Sequence, residues 1–171
     1  MASEGTGALD VLTGQERVLV YQGVFDSERA LKLGREVVRQ GRGYDRGIGV
    51  QIVRVRDGLP LFCWMADDKE VRHLEFLERK RIAVMATGHC SLWPAVEHEL
   101  RGTWEELFSP DARALPAAGA FPIRAESGLV AILSVCGLRD GLDHEIAVRG
   151  LCGDLGLSYG TDVPALARSS A

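Results

Sequence analysis

Two pairs of apolar runs, each closed by a short turn ending in glycine, constrain this chain most. Residues 48–55 and 59–65 flank Arg56-Asp57-Gly58. Two such runs joined across Asp-Gly form a hairpin, because glycine tolerates the positive φ of tight turns. Residues 121–125 and 129–136 flank Glu126-Ser127-Gly128 in the same way. Pro60 puts its run at a strand start or a sheet edge, since proline cannot donate to the ladder. The run 129–136 is apolar at successive positions, not alternate ones, which predicts a central strand buried on both faces.

Helical spacing fills the gaps. Asp26 or Ser27 offers an N-cap, a side-chain oxygen for an orphan backbone N–H. Ala30, Leu33, Gly34, Val37 and Val38 follow at the helical period, and Gly41-Arg42-Gly43 ends it. A second helix starts after Asp67-Asp68, carries Val71, Leu74, Leu77 and Val84, and runs to about Ala86. Pro94 opens another, proline being favoured in a first helical turn. Thr103-Trp104-Glu105-Glu106 matches a capping box. Residues 142–155 form the last helix. Residues 17–22 read as a short first strand, so the order is β-α-β-β-α-α-β-β-α. That order implies an α/β chain of the α+β kind, with a five-stranded, largely antiparallel sheet and helices packed on it. Residues 1–14 and 159–171, rich in small and polar residues, read as flexible ends of a single domain spanning 15–158.

Charge and length narrow the function classes. The 171 residues carry 24 acidic and 20 basic side chains, a formal net charge of −4. A nucleic-acid binder normally shows the opposite balance, so no nucleic-acid partner is expected. The longest apolar stretch, residues 128–138, falls short of the roughly 20 residues that a membrane span needs. The first residues show no basic region followed by an apolar one. The expectation is a cytoplasmic protein with no membrane partner. Cys63, Cys90, Cys136 and Cys152 form no Cys-x-x-Cys pair, so free thiols are expected, with Cys63 and Cys136 buried in their strands.

No complete catalytic motif is present. Gly41-Arg42-Gly43 leads from a helix into a strand, whereas a phosphate loop leads from a strand into a helix. Four groups of residues carry potential chemistry. Gly88-His89-Cys90-Ser91 follows an apolar helix and presents an imidazole, a thiol and a hydroxyl. It is either a helix-terminating turn or a source of a haem ligand, general base or nucleophile. Asp143-His144 opens the last helix, either as a capping pair or as a carboxylate orienting an imidazole. Arg79-Lys80-Arg81 is either a solvated helix face paired with Glu75 and Glu78 or a receptor for carboxylates and phosphates. Trp64, Trp93 and Trp104 either line a pocket or pack the core. His73 and His98 read as surface residues.

Taken together, these segments resemble the GlcG/HbpS-like haem-binding superfamily, most closely its haem-degrading-domain branch. The resemblance runs from about Phe25 to Leu151. It is carried by Phe25-Asp26, Leu33-Gly34, Leu61-Phe62, Arg79-Lys80-Arg81, Gly88-His89-Cys90-Ser91, Phe121-Pro122-Ile123, and Ser134–Leu138 through Asp143-His144-Glu145-Ile146. It implies a profilin-like fold with a five-stranded antiparallel sheet, symmetric homo-oligomers, and haem or a related tetrapyrrole as ligand. On matching positions it points to Arg79, Lys80, His89, Phe121, Asp143 and His144, with Cys90 and Arg81 adjoining them. His89, Cys90 or His144 would supply an axial ligand to haem iron, and Arg79, Lys80 or Arg81 would pair with propionates.

Two segments depart from the family pattern. Ala117-Ala118-Gly119-Ala120 stands where members carry His-Gly-Gly-Gly/Ser, and Met65–Lys69 stands where they carry Gly-Thr-Ser. Two other readings therefore stay open beside haem binding, handling or degradation. One is an enzyme of specialised metabolism using His89, His144 and Asp143 for acid–base work on a small non-haem substrate. The other is a non-catalytic oligomeric assembly module.

Overall fold

A computed structural model describes residues 2–101 and 113–167; the Thr103–Glu106 capping box and Trp104 lie outside them. The elements are α1 (Ala2–Val18), α2 (Ser27–Gly41), β1 (Gly49–Arg54), β2 (Pro60–Met65), α3 (Val71–Thr87), α4 (Trp93–Arg101), β3 (Ala120–Ala125), β4 (Gly128–Cys136) and α5 (Leu142–Leu155).

The strands form one antiparallel sheet in the order β2-β1-β4-β3. Both hairpins form where the glycine turns predict them. The doubly apolar β4 is central, and the proline-bearing β2 is at an edge. The sheet has four strands, not five. The expected first strand is divided: α1 takes Arg17 and Val18, and the rest contributes a single bridge between Val20 and Arg124. A short apolar run fits helix and strand equally, and here the longer helix wins. The expected flexible ends are also structured. Leu12 is wholly buried on α1, and Val163 is wholly buried beyond α5. Gln15 Nε2 donates to Pro164 O at 2.8 Å, tying one end of the chain to the other.

Alternation along β4 sorts the sheet into two faces. Leu133 and Val135 point into the main core, with Leu33 and Val37 of α2 and Ile146, Val148 and Leu151 of α5. Ile132 points the other way, against Val84 of α3. Each such buried aliphatic side chain contributes about 1.5–3 kcal/mol. Asp26 caps α2 as expected, accepting from Arg29 N at 2.9 Å. Cys136 is buried, but Cys63 is exposed. It sits on the edge strand, where an apolar neighbourhood in sequence does not guarantee a covering layer in space. Among the described residues no helix is long and apolar enough to cross a membrane.

Candidate functional site

Helix α3 ends at Gly88, whose φ of 72° lies in the left-handed region where glycine is favoured. That reversal turns His89 off the helix end. Its Nδ1 lies 2.9 Å from Glu16 Oε2. The second oxygen of Glu16 accepts from Cys90 N at 2.6 Å. Glu16 is buried, and Arg124 Nη1 stands 3.9 Å from it, beyond hydrogen-bond reach, while Arg124 Nη2 donates to Gly88 O. The His89 ring stacks on Trp93 at 4.2 Å, with 12° between the planes. The side chain stays 36% exposed, and Nε2 makes no hydrogen bond among the described residues. A carboxylate only accepts, so Nδ1 carries the proton and the neutral ring's lone pair falls on Nε2.

Lys80 and Asp143 meet in the interior. Lys80 Nζ donates to Asp143 Oδ2 at 3.0 Å and to Val135 O at 2.9 Å, and Asp143 Oδ1 accepts from Leu138 N at 2.9 Å. Their side chains are 6% and 7% exposed. Burial lifts the Asp143 carboxyl above its ordinary range, against the pull of Lys80. Gly119, with φ of 133°, runs directly over the pair. A Cβ there would sit 2.1 Å from Val135 O and 2.9 Å from Lys80 Nζ. This pair ties α3, β4 and the start of α5 together.

His144 points elsewhere, so the expected orientation of His144 by Asp143 does not occur. Gln15 donates through Nε2 to Pro164 O, which leaves its Oε1 as an acceptor; His144 Nε2 lies 2.7 Å from that oxygen and donates to it. His144 Nδ1 is then buried without a partner among the described residues. Desolvation pushes this imidazole down to about 4, so it is neutral at pH 7. Phe121, wholly buried, lies 5.9 Å from it, ring to ring.

The remaining candidates diverge. Successive residues on a helix point about 100° apart. Lys80 therefore turns inward, Arg79 Nε donates to Arg113 O at 3.1 Å, and Arg81 pairs with Glu78. The three basic side chains do not converge on one ligand. Cys90 is wholly buried, and burial holds its thiol well above the ordinary range, which removes it as a nucleophile or thiolate ligand. Cavities of about 660 and 520 Å³ lie beside α2 and β2 and at the turn end of the β1–β2 hairpin. Neither is lined by His89, Lys80, Asp143 or His144. Gln15 and Glu16 were absent from the sequence candidates. Their only signal is two polar residues next to an apolar run, and that does not say what they will face.

The arrangement is that of a small α+β domain with a partly exposed imidazole, that of His89, backed by a carboxylate at the end of a sheet-packing helix. The chain belongs to the HbpS-like family: a family model described as "Haem degrading protein HbpS-like" matches residues 25–152. A UPF0303 protein of Paraburkholderia phytofirmans is 32% identical over 158 residues, covering 88% of this chain and 92% of that protein. A UPF0303 protein of Burkholderia mallei is 33% identical over 165 residues, covering 90% and 94%. Among solved structures, the Ybr137w protein superimposes with a TM-score of 0.79 at 19% identity, covering 91% of this chain and 94% of that one. A structure described as the PduOC:Heme complex does so with a TM-score of 0.61 at 18% identity, covering 76% and 94%. These structural likenesses establish the shared fold.

Proposed function

We propose that this protein binds haem, or a closely related tetrapyrrole, with His89 Nε2 as the ligand to the iron. The observation that carries the reading is the state of His89. It is the sequence candidate whose ring is partly exposed and whose outward nitrogen is free, while its inward nitrogen is anchored on a buried carboxylate. Metal-ligating histidines are commonly held in this way. The family match adds the ligand class, since the family is described by haem and a structural neighbour was solved with it. When bound, haem would supply iron-centred ligand and redox chemistry. The chain would supply the imidazole, its orientation, and the flat Trp93 ring beside it. Neither large cavity reaches His89, so one chain covers only one side of a ligand held there. A second copy closing over that face would complete the site, which fits a homo-oligomer as the binding form.

Hemin titration of the purified protein, followed by absorption, tests this. A saturable, sharp Soret band in the native protein, lost in His89→Ala and kept in His144→Ala, is expected. A broad, unsaturable band unchanged in both variants would refute it. Bleaching of the bound band by a reductant in air would extend the reading to haem degradation. A band that survives such treatment would confine it to haem handling.

A further inference from the structure

Helix α1 lies outside the residues that the family model matches, yet it supplies partners to two histidines, Gln15 to the buried His144 and Glu16 to the partly exposed His89. Glu16 is the more consequential. Both its oxygens are committed, one to His89 Nδ1 at 2.9 Å and one to Cys90 N at 2.6 Å, on a side chain 8% exposed.

We propose that Glu16 is the positioning residue of this site: it fixes His89 with the proton on Nδ1 and so keeps Nε2 open to an electron-pair acceptor such as haem iron. The haem reading enters only in naming that acceptor; the tautomer assignment stands on the chain alone. An isolated neutral imidazole places its proton on either nitrogen. Next to a carboxylate it has one arrangement, because the carboxylate offers no proton to Nδ1. The same contact fixes the ring plane against Trp93 and adds electron density to the ring, which strengthens it as a ligand.

The second oxygen makes the proposal sharp. In Glu16→Gln one oxygen must become an NH₂ group. The buried Cys90 N–H requires an acceptor, and an amide donor placed against it would leave two buried donors facing each other. The oxygen therefore stays on Cys90 and the NH₂ faces His89 Nδ1. That nitrogen must then accept, the ring proton moves to Nε2, and the ligand lone pair is lost from the outward side. Arg124 favours the opposite amide orientation, but at 3.9 Å it is outside hydrogen-bond range and does not decide the outcome.

Nitrogen-15 NMR of the ring, in ligand-free protein at about pH 9 where an ordinary imidazole is neutral, reads the tautomer directly. The native protein should show a protonated Nδ1 and a bare Nε2, and Glu16→Gln should show the reverse. Hemin affinity of Glu16→Gln should fall roughly 10–100-fold, as for other partners of metal-ligating histidines. A protonated Nε2 in the native protein would overturn the proposal, and this needs no variant to fold. An unchanged tautomer in a folded Glu16→Gln would overturn it too. A reversed tautomer with undiminished hemin affinity would uphold Glu16 as the positioning residue and remove His89 as the haem ligand.

Discussion

Acid should destabilise this protein through His144, in a pH window fixed by its burial. The imidazole donates from Nε2 to Gln15, and its Nδ1 has no acceptor in reach among the described residues. A second proton would place a charge in a buried site with no carboxylate in hydrogen-bond contact among the described residues. Glu16 and Glu145 attract that charge, but desolvation outweighs them and holds the pKa at about 4. In the unfolded chain the same side chain titrates near 6.5, about 2.5 units higher, and each unit corresponds to about 1.4 kcal/mol. Between those values the unfolded state binds more protons than the native state, so stability rises with pH. His144 therefore contributes nothing unfavourable above about pH 7. It withdraws stability as the pH falls through 6.5, to a total of about 3 kcal/mol near pH 4.

The measurement is urea unfolding at a series of pH values from 8 down to about 4, for the native protein and for His144→Gln. The glutamine amide can still donate to Gln15 and does not titrate. Other groups change charge as well, including Asp143. Its raised pKa acts in the opposite sense, favouring the native state at low pH. Those contributions are common to both proteins and cancel in the difference. The native protein should lose about 3 kcal/mol more than His144→Gln across the window. Parallel curves would show that His144 takes up its proton in the folded state, and would refute the desolvated environment of Nδ1.

Two further outcomes follow from the same interior. Lys80→Met should cost about 3–5 kcal/mol by denaturant unfolding, because it strands the buried Asp143 carboxylate, while Lys80→Met combined with Asp143→Leu should recover most of that loss; a cost below about 1 kcal/mol for the single change would show that the pair is not desolvated. Of the four thiols, Cys63 should be labelled by a disulfide reagent in the native protein, and Cys90, Cys136 and Cys152 only on unfolding, with tryptic mapping to identify the sites; fast labelling of Cys90 would contradict its burial.

What was legible in the sequence was local. Asp57-Gly58 and Ser127-Gly128 specify their turns within a few residues, and the apolar spacing of α2 specifies which of its faces is buried. The site depended on contacts that no spacing encodes. Arg79, Lys80 and Arg81 look like one basic motif, but a helix separates them by about 100° each and gives them three unrelated partners. Asp143 and His144 look like a catalytic pair, yet adjacent helical positions send one side chain to Lys80 and the other to Gln15. Glu16 meets His89 across 73 positions, joining a residue that stands just before an expected strand to one that reads as part of a turn.

Segment 117–120, which departs from the pattern that the resemblance implies, is hydrogen-bonded to the turn that carries His89. Of the glycines expected there from the family pattern, the one retained is Gly119. It is the position where φ is positive and an added Cβ would sit 2.1 Å from Val135 O, leaving no room for a side chain. Ala117 and Ala120 are held without glycine, through Ser91: its hydroxyl donates to Ala117 O and accepts from Ala120 N at 2.9 Å, and Ser91 N donates to Ala120 O. Ser91 belongs to the turn that carries His89. The segment where the resemblance leads one to expect a histidine is thus hydrogen-bonded to the turn that presents His89. Ser91→Ala would leave the buried Ala120 N–H without its acceptor, a loss of about 1–3 kcal/mol. If the two segments work as one site, that variant should also broaden or shift the Soret band of bound hemin while His89 itself is intact; an unshifted band at unchanged hemin affinity would separate the frame from the site.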